Sequence, residues 1–523
     1  MSETLELVDR TLRSDVRETP CMPALTHPPD PDAPRVELLP LLDTFERAEH
    51  LQGITHPSPG TEIALYELLL GLCYAADVHP ETTDEWRAFV EDREPLTQVA
   101  DWLRSPECDG RFDLFDPARP FLQNPQLAPF MDEHGYGPAQ LVLEHAGDYA
   151  QFHDQIHLHH PRRLPLAEAF AALVTQHAYG LGGRVMAKVD WLGRDFTYGS
   201  VGRLGTRIRT LALGDTLADT LRLNLAPVPR PEDVGRFNYS WDGTRPRRVF
   251  TGPGSKRAHH PEGPADLHSL LGRSILLRPA REPDGTIVVD RVLVGAGELT
   301  KNIPVALTPD IVLIGTRPLQ ASAERALWRD AHSLYAAALD HTLGNDLYAR
   351  LTRLGRPVTL LSVGLVAKNQ DVTGWVRDTF PFRPGREEQL RRAAADAVAH
   401  AEYLTTAVRT AAAVARDIVY PNPRPEDKKT LLRRFYAPGE LWGGLEEPFH
   451  ALLDTVAAGT DPHQALADHA RVLVASGTDA LDRRLRGLPR SGRGAEARAR
   501  SRARLHDELT KPKCPPLLTE AAR

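Results

Sequence analysis

The sequence predicts an α+β protein in which a large mixed N-terminal domain, residues 1–385, precedes a C-terminal four-helix bundle, residues 386–523. Two observations lead to this fold class. Short β-like runs bounded by turn residues are found before residue 385. After it, apolar residues recur at helical spacing through four segments almost without strand-forming runs between them, which is typical of an antiparallel bundle.

Helical spacing in the N-terminal domain covers residues 61–76, 165–179 and 215–225. The first of these segments is apolar around most of its circumference, so we expect a buried helix with Thr61 as its N-cap. The glycine-rich residues 180–183 follow a helix and not a strand. This order favours a helix C-cap and turn over a dinucleotide-binding loop.

Strand-forming residues are concentrated in the second half of the same domain. Residues 274–278 and 286–290 flank Pro283, Asp284 and Gly285, and this combination predicts a β-hairpin. A third β-like run, residues 358–366, ends at the polar residues 368–371.

Four helices are predicted in the C-terminal domain. The first carries an apolar stripe from Leu390 to Val408, and the second covers residues 446–457. The third begins at Pro462 with Asp461 as its N-cap, and the fourth covers residues 495–509.

Composition and charge set the broad class of protein. Of the 523 residues, 41% are hydrophobic and 25% are charged, as in a soluble globular protein. The 63 Lys and Arg against 70 Asp and Glu give a net charge of −7, which taken alone disfavours a nucleic-acid binder. The N-terminus resembles no signal peptide and no apolar run is long enough for a membrane span, so we expect a cytoplasmic protein with four unpaired cysteines.

The sequence contains no familiar hydrolase, P-loop or zinc-protease motif, and no cofactor is expected. The closely spaced histidines from His153 to His160 are the one candidate for a metal site. They support an alternative function, that of a metal-dependent hydrolase. A polar surface loop is the preferred interpretation, because no second ligand group can be identified.

Basic residues are concentrated in three segments despite the negative net charge. These segments are residues 203–209, 245–257 and 483–504, and the last of them holds nine arginines. Such a run is either a solvated helix face or a contact to a phosphate backbone, which requires positioned cations and not net basicity.

Several stretches resemble one family, the large subunit (CasA family) of the type I-E Cascade CRISPR surveillance complex. The most specific is residues 111–123, which match the family pattern R-F-D-L-F-x-P-x-x-P-F-x-Q. Residues 165–183 resemble a second family stretch, and residues 364–371 are similar to its G-x-x-x-x-N-Q-A/D loop. The four C-terminal helices also fit the family, so the resemblance spans nearly the whole chain.

The resemblance implies a non-catalytic subunit that joins the crRNA-containing Cascade subunits. Such a subunit checks target double-stranded DNA for a protospacer-adjacent motif, helps to begin strand separation and offers a docking surface to the helicase-nuclease effector. The family reads the motif largely from the minor groove, where the pattern of donors and acceptors is degenerate.

The resemblance also assigns candidate DNA-contacting residues in the 364–371 loop. Asn369 and Gln370 match the minor-groove wedge of the family, and their amides can donate and accept at base edges. Lys368 would offer a cation to an adjacent phosphate, and Asp371 stands where the family has small or acidic residues.

Two further pairs of candidates come from the same resemblance. Phe152 and His153 lie in the loop that the family places near the motif and the crRNA 5′ end. Arg498 and Arg502, in the last predicted helix, are candidates to guide the displaced single strand.

Overall fold

The computed structural model describes residues 12–26, 35–144, 162–185, 187–192, 197–205, 207–239, 260–298, 300, 303–340, 346–368 and 371–523. The chain forms two compact units. The N-terminal unit contains residues before 326 together with His341–Leu354 and Val358–Thr379. The C-terminal unit contains Ala326–Asp340, Gly355–Pro357 and Phe380–Arg523. Helix and strand are mixed in the first and the second is helical, which confirms the predicted α+β class.

The strands in the described part of the chain are β1 (Met22–Thr26), β2 (Arg35–Leu39), β3 (Leu51–Ile54), β4 (Leu164–Pro165), β5 (Gly183–Arg184), β6 (Tyr198–Gly199), β7 (Arg209–Leu213), β8 (Arg273–Arg281), β9 (Ile287–Ala296), β10 (Leu313–Ile314), β11 (Arg317–Pro318), β12 (Val358–Lys368) and β13 (Asp371–Phe382). The α-helices there are α1 (Leu41–Glu46), α2 (Pro59–Ala75), α3 (Thr83–Glu91), α4 (Thr97–Leu103), α5 (Met131–His134), α6 (Leu166–Tyr179), α7 (Val189–Leu192), α8 (Leu217–Asn224), α9 (Pro264–His268), α10 (Ala331–Leu339), α11 (Leu347–Leu354), α12 (Glu387–Val419), α13 (Lys428–Leu432), α14 (Pro438–Gly443), α15 (Glu446–Ala457), α16 (Pro462–Arg486), α17 (Gly492–Leu509) and α18 (Pro516–Ala521).

The strands form several small sheets. The three-stranded sheets have the orders β2-β1-β3, β4-β9-β8 and β13-β12-β7, and β10-β11 and β5-β6 form pairs. β8 and β9 are antiparallel neighbours on either side of Pro283, Asp284 and Gly285, so the predicted hairpin is confirmed. The predicted run 358–366 is β12, but β13 was not predicted.

Helix α2 lies at the centre of the N-terminal core. Its residues from Gly60 to Tyr74 are buried, as its unbroken apolar circumference predicted, and it packs against α6, α9 and β12. The prediction of Thr61 as the N-cap was wrong. The helix begins at Pro59 after Ser58, because the fixed backbone angle of proline suits a first helical position. Thr61 is instead buried and accepts a hydrogen bond of 2.9 Å from Thr175.

The segment 111–123, the most specific match in the sequence, is part of the same core. Phe112 and Phe121 are fully buried with ring centroids 4.7 Å apart. Asp113 accepts hydrogen bonds of 2.9 Å from two backbone amides. The side chain of Gln123 donates to two backbone carbonyls, at 2.8 and 3.3 Å, and accepts from the amide of Leu277 in β8 at 2.8 Å. These residues therefore stabilise the fold.

The 33-residue helix α12 organises the C-terminal unit. It contacts α10 and all the helices from α13 to α17, along a buried face rich in alanine. The four predicted helices correspond to α12, α15, α16 and α17, and Asp461 caps α16 as expected. The shorter helices α10, α13, α14 and α18 belong to the same unit. The boundary near residue 385 stays a prediction.

Two buried histidines lie in this unit, His400 on α12 and His469 on α16. Both ring nitrogens of His469 lack a hydrogen-bond partner among the described residues, and so does Nδ1 of His400. Burial lowers the pKa of both rings, and the neighbouring His400 also lowers the pKa of His469, which falls to about 4. Asp396 acts in the opposite direction on His400 without reversing its shift.

We expect acid to destabilise the chain through His469. Between pH 6.5 and about 4 the unfolded chain binds a proton at this residue while the folded chain does not, so the free energy of unfolding falls as the pH falls. The loss attributable to His469 should reach about 3 kcal/mol near pH 4. Urea unfolding of the full chain at pH 7 and pH 4 measures it. His469→Gln should reduce the difference, whereas His463→Gln, at an exposed position of α16, should leave it unchanged.

Candidate nucleic-acid interface

Strand β12 is the scaffold of the candidate DNA-contacting loop. It pairs antiparallel with β7, from Thr359 opposite Leu213 to Val363 opposite Arg209. Its residues from Leu360 to Val366 are buried, as expected for a strand covered on both faces. β13 lies along the other edge of β12, so β12 is the central strand of its sheet.

The four candidate residues of this loop lie where β12 ends and β13 begins. Lys368 is the last residue of β12 and Asp371 is the first residue of β13. Asn369 and Gln370, and the side chains of Lys368 and Asp371, lie outside the part of the chain that the structure describes. Their contact with DNA therefore stays a prediction.

Trp375 fixes β13 to the first turn of α2. Its indole nitrogen donates a hydrogen bond of 2.7 Å to Glu144, whose same oxygen accepts one of 2.6 Å from Ser58. The indole also packs edge-on against Tyr179 at 4.8 Å. A Cβ atom at Gly60 would collide with the indole ring, so the close approach of β13 to α2 requires glycine there.

The contact between Trp375 and Glu144 connects two segments that are distant in sequence. Glu144 is the last described residue before 145–161, the segment that contains Phe152 and His153. Phe152 and His153 themselves lie outside the described residues. The structure thus brings Glu144, the residue that precedes their segment, to the strand that follows Asn369 and Gln370.

Arg377 is a cation near this loop that the sequence analysis missed. Its side chain is 46% exposed, and its guanidinium lies 3.9 Å from the carboxylate of Glu62. Burial raises the pKa of Glu62, and Arg377 partly offsets that rise. The residues from Val372 to Phe380 are rich in β-branched and aromatic side chains, which could have predicted β13 and, with it, Trp375 and Arg377.

The basic segment 203–209 does not form the exposed arginine-rich surface that its local charge had suggested. Arg203, Arg207 and Arg209 are buried and paired. Arg203 and Arg209 bind Glu67, and the Arg209 contact is 2.6 Å long. Arg207 and Arg209 lie 2.6 and 2.9 Å from Asp310. The sequence shows that these arginines lie close together along the chain. It does not show their carboxylate partners, which belong to elements far away in the sequence.

Both candidate arginines of the last long helix make contacts within the C-terminal unit. Arg502 is exposed and forms two hydrogen bonds, of 2.7 and 2.8 Å, to Asp482. Arg498 is partly buried and donates to the carbonyl of Leu488 at 3.4 Å. Further ion pairs of this region join Arg483 to Asp479, Arg484 to Glu440, Arg500 to Glu496 and Arg504 to Glu508. Acidic neighbours thus compensate much of the arginine charge, and the role of Arg498 and Arg502 in guiding DNA stays a prediction.

Two other predicted features cannot be placed. The histidines from His153 to His160, on which the alternative metal-dependent hydrolase depends, lie outside the described residues, and so does the basic segment 245–257.

The four cysteines are buried and free, and burial raises the pKa of the Cys108 thiol to about 11. Among the helices that the structure describes, none is long and apolar enough to cross a membrane.

Comparisons with known proteins point to one family. A family model described as CRISPR-associated protein Cse1 matches residues 30–480. Cse1 of Thermobifida fusca is 22% identical with a TM-score of 0.71, over 97% of this chain and 98% of that one. CasA of Thermus thermophilus is 20% identical with a TM-score of 0.71, over 97% and 99%. A chain of a CRISPR RNA-guided surveillance complex is 22% identical with a TM-score of 0.66, over 94% and 99%. A search of curated proteins found no match.

Proposed function

Because the chain belongs to the Cse1 family of CRISPR-associated proteins, we propose that it is the non-catalytic large subunit of an RNA-guided surveillance complex. The family match confirms the resemblance seen in the sequence. The same fold occurs in a chain of a solved surveillance complex, over 94% of the present chain. In this proposal the partners are the crRNA-containing subunits, target double-stranded DNA and a helicase-nuclease effector.

The role proposed for the subunit is to recognise the protospacer-adjacent motif and to start strand separation. The observation that carries this role is the anchoring of β13. Trp375 binds Glu144 and packs over Gly60, and β12 is paired with β7 as far as Val363, so both strands that lead to Asn369 and Gln370 are anchored to the core. A wedge inserted between base pairs must be supported by a rigid scaffold, because unstacking costs a few kcal/mol per step.

In this proposal the guide RNA and the protein recognise different parts of the target DNA. Base pairing with the guide RNA reads the long target sequence, while the protein reads only a short motif, as in other RNA-guided effectors. Two amides suit a minor-groove reader, since the groove presents mostly acceptors and one guanine donor.

Arg498 and Arg502 would contact the displaced strand. Arg502 can exchange Asp482 for a phosphate at low cost, because an exposed ion pair contributes at most about 1 kcal/mol.

The test is the double variant Asn369→Ala with Gln370→Ala, assembled with the other subunits and the guide RNA. Binding to a motif-bearing duplex should weaken about tenfold or more, since each pair of base contacts contributes about 1–3 kcal/mol. Assembly should be unchanged, because the substitutions leave both strands intact. Electrophoretic mobility shifts with duplexes that carry or lack the motif measure the effect.

A matched control is Thr373→Ala, at an exposed position of β13 two residues beyond the loop. It should retain the affinity of the unaltered complex. If the double variant binds the motif-bearing duplex as tightly as this control does, the assignment of Asn369 and Gln370 is incorrect.

A further inference from the structure

A cavity in the N-terminal unit is not explained by the proposed function. It encloses about 320 Å³, and its lining includes neither the residues that anchor β13 nor those of the candidate loop. The charged groups Glu67, Arg203, Arg207, Arg209 and Asp310 line one part of it. Proline and aliphatic side chains, among them Pro227, Val228 and Leu267, line much of the rest, together with the carboxylates of Asp233 and Glu262. We call it the arginine cavity. Its volume and its mixture of apolar walls with a few convergent polar groups are typical of small-molecule sites.

The buried groups of the arginine cavity carry an excess of positive charge. Three guanidinium groups, those of Arg203, Arg207 and Arg209, face the two carboxylates of Glu67 and Asp310, so one positive charge is not balanced. The side chains of all five are at most 8% exposed. Each arginine has a carboxylate partner, but the remaining excess of one buried positive charge is unfavourable, and an anion in the cavity would compensate it.

Neither His268 nor Arg350 removes this excess. His268 bonds Glu67 at 3.0 Å, but burial lowers the pKa of its ring, which is therefore neutral at pH 7. The buried Arg350 interacts with Tyr74 in the cavity wall and with Asp346, and burial lowers the pKa of its guanidinium to about 10. The inner part of the cavity, lined by the five buried groups, thus favours a negative group.

The arginines also offer hydrogen-bond donors of suitable geometry. Among the contacts between described residues, Arg203 donates only through Nη1, to Glu67, and Arg207 only through Nη1, to Asp310 and a backbone carbonyl. The remaining nitrogens of both guanidinium groups can donate to a ligand. Planar guanidinium groups bind phosphate with paired hydrogen bonds, which are stronger than those of neutral donors.

The mouth of the cavity has the opposite character. Glu262 is exposed there, and Asp233 pairs with Arg230 outside the cavity at 2.8 Å. These carboxylates disfavour a ligand that is anionic at both ends. They favour one whose outer end is neutral and carries N–H donors. Tyr74 and His268, stacked at 5.9 Å, give the wall a flat aromatic surface.

We propose that the arginine cavity binds a small phosphate monoester whose body is a neutral ring bearing an amino group, the chemistry of a nucleoside monophosphate. The phosphate lies against Arg203, Arg207 and Arg209, and the amino-bearing ring faces Glu262 and Asp233. The site is separate from the candidate DNA interface and does not depend on the function proposed above.

The test is a calorimetric titration of the full chain with adenosine 5′-monophosphate. We expect saturable binding at one site per chain and affinity at least about tenfold lower for uncharged adenosine, which lacks the charge-assisted hydrogen bonds. Arg203→Gln should weaken the binding of the monophosphate and leave that of adenosine unchanged. Equal affinity for the monophosphate and adenosine would overturn the proposal.

A second variant keeps the test independent of the buried charges. Ala306 is exposed at the edge of the cavity, and Ala306→Trp should obstruct it without disturbing the core. Val305→Trp, at the adjacent exposed position outside the cavity lining, is the matched control. Binding of the monophosphate should be lost in the first variant and retained in the second. If Ala306→Trp binds the monophosphate normally, the ligand occupies another surface and the assignment is wrong.

Discussion

Trp375→Ala should weaken duplex binding by the assembled complex at least tenfold and lower the free energy of unfolding of the N-terminal unit by about 3 kcal/mol. Removal of the indole deletes the hydrogen bond to Glu144 and leaves a void over Gly60 and beside Tyr179. β13 then loses its attachment to α2, and the strand ends around Asn369 and Gln370 are no longer held. Urea unfolding followed by tryptophan fluorescence and duplex-binding assays measure the two effects.

Two further variants separate the contributions of Trp375. Trp375→Phe keeps an aromatic ring over Gly60 but cannot donate to Glu144, so it should cost only about 1 kcal/mol. Gly60→Ala should displace the indole from the opposite side and reproduce much of the Trp375→Ala effect. Gly439→Ala, where an added methyl group meets nothing within 4 Å, is the control. Unaltered stability in Gly60→Ala would show that the indole is not fixed against α2.

Glu67→Gln should lower the free energy of unfolding by about 3–5 kcal/mol, the usual cost of removing one partner from a buried ion pair. Burial alone would raise the pKa of Glu67, but Arg203 and Arg209 outweigh burial and hold this pKa well below its ordinary value. The carboxylate is therefore charged throughout the neutral range. When this carboxylate is lost, three buried guanidinium groups remain in the cluster. Asp310 is then the one buried carboxylate of the cluster that still pairs with them.

The same substitution in an exposed ion pair is the control for Glu67→Gln. Glu91 bonds Arg87 at 2.9 Å on the surface of α3, and Glu91→Gln should change the free energy of unfolding by less than about 1 kcal/mol. Thermal and urea unfolding at pH 7 compare the two variants. Similar losses in both would mean that the carboxylate of Glu67 does not hold the cluster together.

Periodicity predicted the long elements of the fold because they are regular and amphipathic or wholly apolar. Helix α2 was predicted from its wholly apolar circumference, and α16 from its Asp-Pro start. The β8–β9 hairpin was predicted from its Pro-Asp-Gly turn. β13 was missed although its middle is rich in β-branched and aromatic residues, because its polar first residue and Pro381 near its end interrupt the alternation expected of a strand. Its position beside β12 compensates for this irregularity, and that tertiary support is not visible in the local sequence.

The candidate site was predictable only in part, for a related reason. The resemblance located the segments around Asn369 and Phe152, but the residues that connect them, Trp375 and Glu144, belong to no motif that it used. The arginines of 203–209 were seen as a basic run, although Glu67 and Asp310 neutralise most of their charge from more than 100 residues away. Pairing over such distances depends on the fold and leaves no trace in local composition.

The interleaving of the two units along the chain has a consequence for protein synthesis. α10 belongs to the C-terminal unit, yet residues 341–354 and 358–379 of the N-terminal unit follow it. The N-terminal unit therefore lacks β12 and most of β13 when α10 is translated, and the buried Leu334 and Tyr335 of α10 must wait for α12. At about 5–20 residues per second this wait lasts roughly 4–16 s. The N-terminal unit is complete in sequence at Thr379, whereas α10 must wait for the later helices of its own unit. The nascent chain therefore exposes an apolar helix during this interval, which a chaperone could shield.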